Sequence, residues 1–585
     1  MIASTNRMIG TMNTAIRRTL LTFGLLIGAV ALTACTDVGV NPKSDTTAKN
    51  FFTSEGSYKA YFAKLYAGLV VTGQTEGNGG AGSGDPDITV PSNIGFGQYT
   101  RLLWNMQELT TESAVTRFQD QGIRDLNNFT WSSQNQFSVG MYNRIYFQVA
   151  QVNEFLRQSR DSRLEERAIS EQRQEEIQTW RAEARFLRAL SLWHGIDLFG
   201  KIPVPTTDVT LGDAPEQSSR DSAFAFVERE LLRLTDDQGD ENLLPAGQAP
   251  YGRADRGAAW MLLAKLYQNA PVYLDNPQQQ IGEDPSNLVI EYTERLINGP
   301  YSLETQRSPE FSAFQHLFLA DNHTANGIIF AVPQDGQSQR TYGGTQYLTH
   351  ANLGTGGTGS GAWSGDPGEL VGVDAGYGGM RTTSDGVALF DKDQSGGPLT
   401  DDRAIFFTTD QDSVIDNQNS FADGEIDDPI GYFREGWAVI KFKNLTSNGG
   451  QGSNPTFPDT DFPMFRLADA YLMYAEAVLR GGQGGSRAEA LSLVNDLRMR
   501  ANVPTIQDAD LDLDFLLRER GRELFWEAHR RTDLIRYGEF IDGQWSWKGG
   551  VGSGNVQVEE CREVFPIAAS ELRANPNLEQ NRDCY

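Results

Sequence analysis

Apolar residues return every three or four positions along much of this chain, which is the period of a helix with one buried face. Tyr58, Tyr61, Phe62, Leu65, Tyr66 and Leu69 mark a first helix, entered after Thr53-Ser54, residue types that suit an N-cap. The same period predicts helices from Ser138 to Leu156 and Gln172 to Leu198, and from Asp221 to Leu234 and Arg256 to Ala270. It returns from Pro463 to Arg480 and from Ser486 to Arg500, and Leu511 to Tyr537 closes the set. Gly481-Gly482-Gln483-Gly484-Gly485 separates two of these helices, and Ser486 with Glu489 reads as a capping box opening the second.

The helices come in neighbouring pairs. RAEARFLRALSLWHGIDLF and AAWMLLAKLYQNA alternate small and large apolar residues, as antiparallel helices stacked in tetratricopeptide fashion require. No strict period of about 34 residues is visible. From Ala325 to Asp461 the pattern changes. GIIFAVPQ (Gly327 to Gln334), RAIFFTT (Arg403 to Thr409) and WAVIKFK (Trp437 to Lys443) are short strand candidates. Long Gly- and Ser-rich loops surround them, and another loop runs from Thr72 to Gly97. Loops of that length on a folded body commonly carry binding residues. The expected architecture is mainly α: tetratricopeptide-like helix pairs, long irregular loops and a few short strands. The helical scaffold covers about 51–320 and 462–540, the ligand-binding region about 325–461 and a tail 541–585, all in one domain from residue 51.

The N-terminus changes the picture of where this body sits. Arg17 and Arg18 precede the apolar run from Leu20 to Ala34, which is short for a membrane span and has the flanks of a secretory signal. Leu32-Thr33-Ala34-Cys35 has the form of a lipobox, so residues 1–34 read as a lipoprotein signal peptide and Cys35 as the acylated N-terminus. A plain signal peptide is the alternative, and Met8 or Met12 would give a more usual signal length. Residues 35–50 are polar and aperiodic, a flexible tether. Cys561 and Cys584 are the only other cysteines; in an oxidising compartment they read as a disulfide, with two buried free thiols as the alternative.

The 585 residues carry a formal charge of −27, which repels phosphate backbones and excludes nucleic acid as a partner. Adaptation to high salt and simple compositional drift explain that charge equally well. Motifs for chemistry are sparse. Gly354 to Gly359 matches GxGxxG but follows no strand, and there is no GxSxG, HExxH or P-loop. The histidines (His194, His316, His323, His350, His529) are scattered. Asp391, Asp393, Ser395, Gly396 and Asp402 fit a calcium loop in part, although Pro398 stands where an apolar residue belongs. ERGRELFWEAHRRTDLIRYG, from Glu519 to Gly538, is as crowded with charge as an active site. Helical spacing would pair Glu527 with Arg531, Glu519 with Arg522, Arg520 with Glu523 and Asp533 with Arg536, and Gly538 would cap the helix. That reads as structure, not catalysis.

The same segment resembles the signature helix of the SusD/RagB family of surface nutrient-binding lipoproteins. RAEARFLRALSLWHGIDLFGKIPVP, FRLADAYLMYAEAVLR and VFPIAASELRANPNLEQN resemble other family segments, in the same order. Asp402-Arg403 falls where the family tends to carry an acidic-Arg pair. The resemblance implies a helical body with four tetratricopeptide-like units and a loop-built ligand face. It further implies a lipid-anchored protein at the outer membrane, facing outward. Such a protein binds oligosaccharides or peptides and delivers them, without catalysis or cofactor, to a TonB-dependent transporter (a SusC-like barrel) that it covers as a lid.

Aromatic rings on loops bind sugar faces by apolar stacking, with polar neighbours serving the hydroxyls. By loop position and residue type the ligand candidates are Trp104, Asn105, Tyr342, Tyr347, Trp363 and Tyr377. Glycan capture leads; peptide capture on the same scaffold and a lipid-anchored glycoside hydrolase are the alternatives, the last needing paired carboxylates in one cleft.

Overall fold

The computed structural model describes residues 51–73, 87–88, 94–116, 118, 120–209, 212–236, 239, 241–353, 367–390, 400–407, 437–543, 545, 548, 556–581 and 585. One compact unit runs from Ser54 to Tyr585. Its N-terminal half is α1 (Glu55–Val70), α2 (Tyr99–Glu108), α3 (Gln136–Gln158), α4 (Glu171–Phe199), α5 (Arg220–Thr235), α6 (Arg256–Gln268) and α7 (Pro285–Ile297). Its C-terminal half holds α8 (Gly344–His350), α9 (Leu467–Leu479), α10 (Arg487–Arg500), α11 (Leu513–Glu523) and α12 (Arg530–Tyr537). None of the described helices is long and apolar enough to cross a membrane.

The expected pairs form: α3 packs on α4, α5 on α6, and α9 on α10. The starts of α3, α6, α10 and α11 are set by side chains that accept otherwise orphaned N–H groups. Asn135 accepts from Phe137 and Ser138, Asp255 from Ala258, Ser486 from Glu489, and Asp512 from Phe515. Helices α2, α7 and α8 escape the periodicity reading. Helix α7 begins at Asp284-Pro285, with Asp284 accepting from Ser286, and packs against both α6 and α9. It therefore joins the two helical halves that the sequence shows apart. The Asp-Pro pair was a legible start signal.

Two expected helices are corrected. The segment from Pro463 starts as a strand, Phe462–Arg466, and turns helical only at Leu467. That strand pairs antiparallel with Ile328–Val332, Ile328 opposite Arg466 and Val332 opposite Phe462. The run from Leu511 to Tyr537 is broken between α11 and α12, where Trp526 (φ 63°) and Ala528 (φ 62°) take left-handed backbone. Tertiary contacts hold the break. The Trp526 indole donates to Ser113 O at 2.7 Å and meets Trp104 edge to face at 4.8 Å. Glu108 Oε1 accepts from Ala528 N at 2.9 Å and from His529 N at 3.3 Å. Burial pushes the Glu108 carboxyl up to about 7, and its hydrogen bonds from Ser113 and these amides pull the other way. Gly538 does end α12 in a left-handed cap at φ 78°.

Among the strand candidates, Phe406–Phe407 pairs antiparallel with Ala438–Val439; a further pair that the alternation did not mark joins Val115–Thr116 to Met380–Arg381. In the tail, Cys561 is disulfide-bonded, while Cys584, its expected partner, lies outside the described residues. The chain end is nevertheless held beside Cys561. The Tyr585 hydroxyl accepts from the Trp131 indole at 2.9 Å and donates to Val564 O at 2.9 Å. Non-reducing peptide mapping is expected to recover Cys561 cross-linked to Cys584. Replacing Cys584 with Ser is then expected to lower stability by about 3 kcal/mol, the loop-closure value for a ring of this size; free thiols at both positions would refute the pairing.

Candidate ligand-binding site

The charged C-terminal segment can be set aside as a reactive site, because its carboxylates are buried and paired. Arg403 meets Glu519 at 2.7 Å, and Glu519 also accepts from Arg498 and Arg522. Arg466 binds Glu527 at 2.6 Å and Glu523 at 3.0 Å, and Lys441 meets Glu527 at 2.5 Å. Arg520 joins Asp469 and Asp533 at 2.9 Å each, and Arg536 joins Glu476 and Asp533. Burial alone would raise the Glu519 and Asp533 carboxyls; the surrounding guanidinium groups hold both far below the usual carboxylate range. Of the expected pairs, Glu519 with Arg522 and Asp533 with Arg536 form. Glu527 turns instead to Arg466 and Lys441, because the helix breaks between it and Arg531; Arg520 turns to Asp469 and Asp533, while Glu523, on the same helix, is taken by Arg466 and Arg500.

A different arrangement lies around α8 and the start of α2. Arg101, on α2, is sandwiched between two rings, its Cζ 4.4 Å from the Phe96 centroid and 4.1 Å from that of Tyr347. Phe118 lies near-parallel to Tyr347, centroids 6.3 Å apart at 28°. Arg101 is only 9% exposed, forms no ion pair among the described residues, and its Nε has no hydrogen-bond partner. Burial depresses its pKa, with Tyr347 and Asp120 opposing. A buried guanidinium packed against two rings, with no ion pair among the described residues, is held in place by those rings and leaves Nε as a donor for another group.

Two tyrosines flank it. Tyr342 is half-buried and meets Phe457 edge to face at 5.2 Å. The turn after it passes so close to Gln98 that a Cβ at Gly343 (φ 94°) would lie 2.5 Å from that side chain, so only glycine fits. Tyr377 is 40% exposed and stacks on His350, centroids 5.0 Å apart at 28°. Its hydroxyl accepts from Gln346 Nε2 at 2.5 Å. The charge of Asp374 reaches Tyr342, Tyr377 and His350, and that of Arg101 reaches Tyr377, so these groups share one field. Phe118 is seated by Gly379, where a Cβ would fall 2.0 Å from the ring. The surface offers aromatic faces, one planar cation, a carboxamide and a carboxylate.

The sequence candidates divide. Tyr342 and Tyr377 lie on this surface. Trp104, Asn105 and Tyr347 do not reach it as loop residues: Trp104 and Asn105 belong to α2, every residue of which is buried, and Tyr347 is 1% exposed on α8. They support it from beneath. The Tyr347 hydroxyl donates to Asn105 Oδ1 at 3.2 Å, and Trp104 meets Tyr347 edge to face at 5.8 Å. Trp363, Asp391, Asp393, Ser395 and Cys35 lie outside the described residues. Asp402, the described member of the calcium candidate, pairs with Arg307 at 2.6 Å. The expected Asp402-Arg403 pair is also displaced: Arg403 takes Asp401 at 2.8 Å and Asp402 turns outward. The periodicity reading missed Arg101, Phe118, Gln346, His350 and Asp374. The one available signal was a lone cation in the otherwise uncharged run YTRLLWNMQ.

A mainly helical body of stacked pairs with an aromatic and polar surface on its inserted loops defines the architecture. The sequence model of the SusD family matches residues 346–585. The starch-binding protein SusD of Bacteroides thetaiotaomicron is 31% identical over 94% of this chain and 96% of its own length. The chain belongs to the SusD family. Among solved structures, surface glycan-binding protein A from Bacteroides uniformis shares the fold at a TM-score of 0.62 and 18% identity, covering 90% of this chain and 99% of that one. The Bacteroides thetaiotaomicron surface glycan-binding protein A solved with laminarihexaose matches at 0.61 and 17% identity, covering 90% and 99%.

Proposed function

We propose that this protein captures oligosaccharides on the surface formed by Tyr342, Tyr377, Phe118 and Arg101, and releases them chemically unchanged. The carrying observation is Arg101: a buried guanidinium packed against the Phe96 and Tyr347 rings, without an ion pair among the described residues, beside the accessible rings of Tyr342 and Tyr377. Sugars present apolar faces that stack on rings and hydroxyls that take fixed donors, and this surface supplies both. The relative named for starch binding and the fold neighbour solved with laminarihexaose support a glucan class of ligand. The partner is a TonB-dependent, SusC-like barrel that the protein covers as a lid at the cell exterior, held to the outer membrane by lipid on Cys35. The signal, lipobox and family membership support that placement.

Calorimetry of the chain from Thr46 onward is expected to give saturable heats with soluble starch or laminari-oligosaccharides, none with mixed peptides, and no release of reducing ends. Binding of peptides alone would replace the glycan reading, and new reducing ends would replace the non-catalytic one. A large barrel protein is expected to co-purify from detergent extracts through the full-length chain; its absence would sink the lid role.

A further inference from the structure

His350 is buried beneath Tyr377, yet only one of its ring nitrogens is satisfied. Nδ1 lies 2.9 Å from Gln346 O and 3.0 Å from Thr349 Oγ1; the carbonyl can only accept, and the Thr349 hydroxyl itself donates to that carbonyl at 3.1 Å, so Nδ1 carries the proton. That leaves Nε2 as a lone pair in the neutral ring. Nε2 has no hydrogen-bond partner among the described residues and sits 3.6 Å from Asp374 Oδ1. A lone pair facing a carboxylate gains nothing; a proton placed between them converts the contact into a charged hydrogen bond. Asp374 is itself tethered, accepting from Thr456 Oγ1 at 2.5 Å on its other oxygen.

The loop that carries Asp374 also carries Tyr377, whose amide donates to His350 O at 2.7 Å while its ring lies on the imidazole. We propose that His350 is a proton-linked positioning residue: protonation at Nε2 closes a hydrogen bond to Asp374, tightens the Asp374–Tyr377 loop, and strengthens ligand capture on the Tyr377 ring. The ligand half of this inference rests on the function proposed above; the loop half does not.

Burial lowers the His350 pKa from 6.5, while the Gln346 carbonyl and Asp374 oppose the drop. The protonated form therefore accumulates on the acid side of that value. The other titratable or charged groups around it are Tyr377 on the covering loop, Tyr342 and Tyr347 on α8 and the turn before it, and Arg101 with Asp120 beyond them. Arg101 opposes proton uptake; Asp120 favours it.

The test is hydrogen exchange on the full-length chain at pH 7.5 and 5.0, corrected for intrinsic rates, with no ligand present. Protection at the Tyr377 amide is expected to rise about fivefold at the lower pH, the worth of one added hydrogen bond. The rise is expected to vanish in His350→Gln and in Asp374→Asn, the latter altering an exposed carboxylate that the fold tolerates. Equal protection at both pH values in the wild type, or a rise that survives Asp374→Asn, overturns the proposal. Affinity for soluble starch or laminari-oligosaccharides is measured in parallel and is expected to rise about fivefold in the wild type alone. A pH-dependent amide with no glucan binding would leave the loop device standing and remove the glycan reading. Glucan binding with a flat amide would do the reverse.

Discussion

Replacing Arg466 with Met is expected to lower the stability of the protein by about 3–5 kcal/mol, the cost of unpairing buried ions. Arg466 reaches Glu527 at 2.6 and 2.8 Å, Glu523 at 3.0 Å and the Glu523 carbonyl at 3.0 Å. Without it, Glu527 keeps Lys441 alone, at a site with no access to water. Urea unfolding measures the loss. The control is Arg295→Met, which breaks an exposed pair with Glu291 on α7 and is expected to cost no more than about 0.5 kcal/mol. Equal costs for the two variants would show that the buried network does not hold the halves together. The same network sets the response to acid. Glu519, Glu523 and Asp533 have folded pKa values below the ordinary 4.5 and 3.8 of their types. As pH falls past those ordinary values, the unfolded chain binds protons that the folded one refuses. Stability contributed by these groups is therefore full above about pH 5 and drains away below it.

Arg101→Met is expected to weaken glucan binding about 30-fold while leaving the protein as stable as before or more so. Loss of an anchor at the centre of a site costs about 2 kcal/mol, which is that factor. The gain in stability follows from removing a buried charge that has no ion-pair partner among the described residues, since burial already works against its charged form. A residue held for packing would behave the opposite way. Trp104→Ala illustrates the contrast: it leaves a cavity beneath Tyr347 and is expected to cost about 3–5 kcal/mol in folding. Calorimetry beside thermal melts separates the two behaviours. Undiminished binding by Arg101→Met would place the ligand elsewhere, with the segment that contains Trp363 the next to examine.

The two predictions share a lesson about charge. Sequence spacing treats Glu527 and Arg531 as partners on one helix, since each lies one turn from the other. In the fold they are separated by the left-handed residue Ala528, and Glu527 is satisfied from strand residue Arg466 and from Lys441. A break of that kind is stabilised by Glu108 and Ser113, more than four hundred positions earlier, so no local pattern could announce it.

Alone, the sequence determined the elements whose cause is local: helices α3 to α6, α9 and α10 from their apolar period and caps, the cap at Gly538, and, through its ordered segments, the family. By loop position and residue type it also offered Tyr342 and Tyr377 as ligand candidates, and both lie on the accessible side of the aromatic cluster. Tertiary structure alone decided which aromatics are accessible and which are buried. Trp104 and Tyr347 are aromatic like Tyr342 and Tyr377, but they lie inside α2 and α8 and are covered by the fold. It also decided that Arg101 forms no ion pair among the described residues while Arg520, Arg522 and Arg536 are paired. Whether a charge is satisfied depends on groups brought near by folding, and that nearness is not written in sequence distance.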